Sequence, residues 1–200
     1  MRLGPGKQPA TPLLSARRVL ILLLLGLVAV WFWTTRYPPV REYRLYLFEE
    51  RPDATLAWES LSHAWTEARV KEHFRGAPIR CLPDESGTPG IKRVCAVDLR
   101  RLNGVPTMSV NFLFSDVGLQ RVATNIPLWS HRRGLDALVK AYGEPDAGQS
   151  RPVSGVRLLG WQLPGRSAVF YNRDPDFSPL MTNSTQWTGP TACNGGPCLR

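Results

Sequence analysis

Thr107-Met108-Ser109-Val110-Asn111-Phe112-Leu113-Phe114 puts Met108, Val110, Phe112 and Phe114 at alternate positions, with Thr107, Ser109 and Asn111 between them. Successive side chains of a strand point to opposite faces, so this period of two predicts a half-buried strand of an antiparallel sheet. Upstream, Lys92 to Arg100 carries Cys95, Val97 and Leu99 at the same spacing. Asn103-Gly104 between the two runs is a hairpin signal, because both residues tolerate the positive φ of a type I′ turn. Downstream, Ser115-Asp116 marks a turn into a third strand around Leu119 to Ile126.

Helical spacing brackets these strands. Asp53 is a candidate N-cap, and Ala57 or Trp58 with Leu61, Trp65 and Ala68 predicts a helix down to Phe74, ended by Gly76 and Pro78. Ser130 caps a second helix, in which Leu135, Leu138, Val139 and Tyr142 fall at i, i+3, i+4 and i+7 before Gly143 and Pro145. A polar stretch from Asp146 to Ser154 follows. Strands are then predicted at Val156–Leu163 and Ser167–Asn172 around Pro164-Gly165, with a last one near Leu180–Trp187.

The chain therefore reads as helix plus about three strands, twice. Both helices end in an aromatic residue followed by Gly-x-Pro, as Phe74-Arg75-Gly76-Ala77-Pro78 and Tyr142-Gly143-Glu144-Pro145. Ordinary helix capping and an internal duplication both account for the match. Helix, aromatic-Gly-x-Pro and meander resembles, one unit at a time, the small periplasmic outer-membrane-assembly lipoproteins and the tandem domains of β-lactamase-inhibitor proteins. The lipid-attachment cysteine of the former is absent, and no functional residue is carried over. The resemblance implies a binding module.

Toward the N-terminus, seventeen uncharged residues lie between Arg18 and Arg36. As a helix they extend about 25 Å, the short end of the range for a bilayer span. Arg17, Arg18 and Arg36 would reach the interfaces, with Trp31 and Trp33 as aromatic anchors. The bulky end of the run disfavours a cleaved signal peptide. Lys and Arg counts on the two flanks balance, so the side is set by the cysteines.

These considerations give an expected architecture of the α+β class: a single N-terminal transmembrane helix, then two helices packed on antiparallel strands. The divisions are a cytoplasmic basic tail over 1–18, a signal anchor over 19–35, a linker over 36–52, an extracytoplasmic domain over 53–188 and a Cys/Gly-rich tail over 189–200. Tyr37-Pro38-Pro39 is expected to leave the bilayer extended, and Tyr43 to Phe48 to be a short strand or ordered lead-in.

Cys81, Cys95, Cys193 and Cys198 form an even set suited to two disulfides in an oxidising compartment, paired locally as 81 with 95 and 193 with 198. Zinc is the rival reading, but neither pair has the tight spacing of a metal ribbon. The formal charge of +9 is partly the work of Arg2, Lys7, Arg17 and Arg18, and the rest is spread without a basic run. That argues against a nucleic-acid footprint.

No local signature of a nucleophile, a phosphate loop or a zinc protease occurs, so no catalytic, cofactor-binding or metal-ligating residue is assigned. His63 and Glu67 fall at i, i+4 on the first expected helix with His73 further along, which reads as a surface pair. His131 is placed in the first turn of the second helix. Asp174-Pro175-Asp176 and Asp84-Glu85 read as solvated turns. Asn183-Ser184-Thr185 fits a glycosylation acceptor. Trp129, Trp161 and Trp187 are candidates for a binding surface, with core packing the simpler account of each.

The functional expectation is a membrane-anchored extracytoplasmic binding or assembly module, with the lipid bilayer and a protein as partners. The alternatives are an extracytoplasmic hydrolase and an anionic-lipid-binding protein, the latter drawing on Arg36, Arg41 and Arg44.

Overall fold

A computed structural model describes residues 16–85, 87–146, 152–153, 156–175 and 183–193. The chain divides into two compact units, Met1–Arg41 and Glu42–Arg200, so the boundary falls inside the stretch read as linker. In the first unit, helix α1 covers Ala16–Arg36. Its large apolar side chains are exposed, from Val19 at 42% to Trp31 at 66%, and the Arg36 guanidinium lies over the Phe32 ring at 5.3 Å.

Among the described residues, no helix is long and apolar enough to cross a membrane. The expected signal anchor over 19–35 and the single-pass placement with a cytoplasmic N-terminus are corrected accordingly. Only Val19 to Val30 is free of charge, tryptophan and threonine, and at 1.5 Å per residue it covers about 18 Å of a hydrocarbon core about 30 Å thick. The interface roles given to Arg17, Arg18, Trp31, Trp33 and Arg36 therefore have no span to flank.

Helix α2, Pro38–Phe48, replaces both the extended exit and the expected strand. Proline is tolerated in a first turn, where its missing N–H has no partner to lose. Tyr43 and Tyr46 are three apart, which puts them on one face of a helix and on opposite faces of a strand. Tyr46 is buried and its hydroxyl donates to Arg100 O at 3.1 Å, while Tyr43 Oη accepts from the Leu128 N–H at 3.2 Å.

The single helix expected over Asp53 to Phe74 is broken into three parts. Strand β1, Asp53–Ala54, pairs in parallel with β4, Arg101–Leu102; a 3-10 turn spans Trp58–Ser60; and helix α3 is only Glu67–His73. Thr66, not Asp53, caps α3 by accepting from the Arg69 N–H. Trp58, Leu61 and Trp65 are all buried, but a turn and loop wrapped over the core bring them there. Burial alone had produced the helical spacing.

Helix α4, His131–Tyr142, lies where the second helix is expected, and Ser130 precedes it without a side-chain capping bond. The remaining strands are β2 Ile79–Pro83, β3 Arg93–Asp98, β5 Val105–Pro106, β6 Ser109–Ser115, β7 Gly118–Asn125, β8 Pro152–Val153, β9 Val156–Gln162, β10 Ala168–Asn172 and β11 Thr185–Thr188. Among the described residues, four α-helices, one large sheet and one small sheet thus stand where a transmembrane helix and two helices on three-stranded units were expected. β2 was missed outright, because Ile79-Arg80-Cys81-Leu82-Pro83 ends in proline and alternates only weakly.

The large sheet runs β2-β3-β6-β7-β11-β10-β9 with every neighbour antiparallel, and the two-residue β8 extends its far edge. One helix and four strands occur twice, and the halves meet through their last strands, β7 and β11. One row of the core crosses the sheet through Cys81, Cys95, Phe112, Val122, Trp187, Val169 and Trp161. Val70 and Phe74 of the α3 region and Leu138 of α4 belong to the same core, so both helices cover this face. A separate small sheet, β1-β4-β5, forms around the Asn103-Gly104 turn, whose φ values of 52° and 79° are both in the left-handed region.

Candidate functional site

A cleft of about 590 Å3 opens between α4, the segment Thr55–Glu59 and the β4–β5 hairpin, with the sheet as its floor. Its shape follows from small residues. Gly134, Ala137 and Ala141 line the helix side, and the floor is Thr107, Thr124, Ile126 and Thr185. At Gly134 a Cβ would fall 2.5 Å from the Tyr171 hydroxyl, which itself donates to His131 O at 2.7 Å. Only glycine lets α4 sit this close to the sheet. Burial raises the pKa of the Tyr171 phenol, so it remains a hydrogen-bond donor.

The opposite wall is pinned by one side chain. Asn103 Oδ1 accepts from the Leu56 N–H and Asn103 Nδ2 donates to Leu56 O, both at 2.8 Å. An amide side chain thereby mimics a strand neighbour and holds the wall beside the hairpin. At the other end the Tyr142 hydroxyl donates to Glu59 Oε2 at 2.8 Å, and burial followed by that bond raises its pKa. Two of the floor hydroxyls are already committed: Thr107 Oγ1 donates to Val105 O, and Thr124 Oγ1 accepts from the Thr185 N–H. Charge reaches the cleft only through Glu59 and Lys140, both exposed.

Beyond Glu59 and Tyr142 lies a smaller chamber of about 340 Å3, bounded also by Glu144, Asp146, Trp161 and Gln162. Trp161 Nε1 donates to Gly143 O at 2.9 Å and Asp146 Oδ2 accepts from the Gln162 N–H at 3.0 Å, which fixes the loop after α4 against β9. On the opposite face of the sheet, Arg51 Nη1 donates to Met108 O beside a polar pocket of about 210 Å3.

The histidines do not converge. His63 lies before α3 and is exposed, and Glu67 is paired instead with Arg93, whose Nη2 donates to Glu67 Oε2 at 3.2 Å. That hydrogen bond holds the Glu67 carboxyl below its ordinary range. His73 Nε2 lies 2.9 Å from Thr55 O. His131 is buried against the Tyr171 ring at 5.1 Å. None of the three lines the cleft.

Cys81 and Cys95 face each other in register and are joined by a disulfide. Glu67 approaches both sulfurs, but thiolates in a disulfide are not available to a metal. The pairing of Cys193 with Cys198 lies outside the described residues. So does Asp176, while Asp174 is exposed. Asn183 is fully buried and bridges to Ile126, which removes it as a glycosylation acceptor. Trp161 and Trp187 are core residues, whereas Trp129 is 58% exposed and stands 5.5 Å from the Tyr43 ring.

Sequence reasoning missed the cleft because five separate segments of the chain build it. One local signal was present: Gly134, Ala137 and Ala141 at i, i+3 and i+7 give α4 a face too small to fill the space beside it. No protein family, curated protein or solved structure matches the chain.

Proposed function

We propose that this chain is a binding module whose cleft between α4 and Thr55–Glu59 takes the apolar body of a small ligand. The observation that carries the reading is the cleft itself, about 590 Å3 with an apolar lining and a few polar groups at its rim. Ligand sites typically enclose about 300–1,000 Å3 and combine such a lining with a small number of orienting polar groups. The reading keeps the expected binding role without the membrane anchor.

The test is saturable binding of a neutral apolar dye such as Nile red, followed by fluorescence. Ala137→Trp, which fills the cleft from its helix wall, should abolish the saturable component, and Ala141→Trp, at an exposed position, should weaken it. Binding unchanged in both variants, with native circular dichroism, would remove the reading.

Trp129 favours a second reading, a protein-docking face, since an exposed tryptophan held at a tilt against the Tyr43 ring has the character of an interface anchor. Crosslinking through a photoreactive residue at position 129 should then yield one discrete product with a protein partner. Diffuse labelling would count against it.

A further inference from the structure

We infer that the ligand of the cleft carries a cationic head beside its apolar body, with Glu59 as the residue that selects it. The inference rests on the proposed cleft reading and names the class of ligand: a small amphiphile with an ammonium or similar head. Glu59 and Tyr142 line both the apolar cleft and the smaller chamber, so this hydrogen-bonded pair is a wall common to the two cavities. A ligand lying in the cleft therefore meets the Glu59 carboxylate at the end of the cleft that borders the chamber.

Among the described residues the chamber is lined by Glu59, Glu144 and Asp146 and by no basic side chain, on a chain whose net charge is +9. Local charge there is opposite to that of the whole molecule. Lys140, the one cation among the described residues that line the cleft, is exposed and does not line the chamber. Of the Glu59 carboxylate, only Oε2 is engaged by the Tyr142 hydroxyl; Asp146 likewise uses only Oδ2. Each retains an oxygen able to accept from an ammonium donor. Tyr142 keeps its proton, so it orients Glu59 without adding charge.

Dodecyltrimethylammonium, dodecyl sulfate and the uncharged dodecyl maltoside, each below its micelle concentration, are titrated into the full chain. Fluorescence of Trp58 in the cleft and Trp161 in the chamber is the readout, with Ala137→Trp defining the cleft-specific component. The ammonium probe should bind about tenfold more tightly than the sulfate, as expected for a charge meeting carboxylates at an exposed site. Glu59→Gln with Asp146→Asn should bring the two to within about twofold. Cleft-specific maltoside binding with no preference for the ammonium probe would overturn the inference and leave the cleft reading standing. If none of the three probes shows a component sensitive to Ala137→Trp, the cleft reading itself fails.

Discussion

In the half of the sheet built by α3 with β2, β3, β6 and β7, the helix is seven residues long and the space beside it is filled by aromatic rings. Trp65 and Phe74 lie 6.1 and 5.6 Å from Phe112, and a disulfide joins β2 to β3. In the half built by α4 with β8 to β11, the helix has twelve residues and shows the sheet Gly134, Ala137 and Ala141, leaving a cleft. The same inventory of parts is closed by large side chains on one side and left open by small ones on the other. Close packing stabilises a sheet, and a site needs room that packing would remove.

The largest test of this contrast is a pair of truncations. Phe112→Ala should cost about 3–5 kcal/mol in denaturant unfolding, because fully buried rings surround the void it leaves. Leu138→Ala, on the cleft wall, should cost about 2 kcal/mol, the low end for such a change, since free space already lies beside it. Equal losses would break the comparison.

Removing the disulfide comes next. Cys81 and Cys95 are fourteen residues apart, and opening that loop through the double alanine variant should cost about 3 kcal/mol in the chain-entropy model. Hydrogen exchange should accelerate in β2 and β3 while β9 and β10 keep their protection. Uniform acceleration would show that the halves are not separable in stability.

Much of the first half was legible because period-two alternation survives wherever one face of a strand is buried: Met108, Val110, Phe112 and Phe114 are all in the core. The second helix was legible for the same kind of reason, through Leu135, Leu138, Val139 and Tyr142. The failures share a different cause. Trp58, Leu61 and Trp65 have helical spacing but reach the core by a turn and a loop, and Pro38-Pro39 opens a helix where an extended segment was expected. Spacing reports which residues are buried, not the backbone that buries them. The cleft left still less trace, since Asn103 was read only as a turn residue and its grip on Leu56 crosses 47 positions.

A third prediction sharpens the contrast at the cleft. Gly134→Ala places a methyl group against the Tyr171 hydroxyl, so α4 must move outward and the bond to His131 O must lengthen. The cost should be about 1–3 kcal/mol, typical of overpacking, with a wider cleft and altered Nile red affinity. No change in either would mean that this close approach does not set the cleft.

The smallest effect is electrostatic and belongs to the first half. Arg93 holds the folded Glu67 carboxyl below its ordinary value of 4.5, so the unfolded chain binds a proton more readily. The stability from this pair is present in full above that value and is lost as pH falls through the lower folded one. Glu67→Gln should flatten the acid limb of the unfolding curve slightly, in a pH titration of the unfolding midpoint. Salt should reduce the difference, because both groups are partly exposed.

The seam between β7 and β11 also sets an order of assembly. Trp187 meets Val122 only after the strands between them have been made, so a growing chain holds an unpaired β7 edge from Asn125 until Thr185 has been added. The first half has its helix, its four strands and its disulfide partners before α4 begins. It can mature as a meander and then serve as the template on which β11 docks, bringing β9 and β10 with it. Until that strand arrives, β7 is an exposed edge open to pairing with a neighbouring chain, and crowding during synthesis would be felt there.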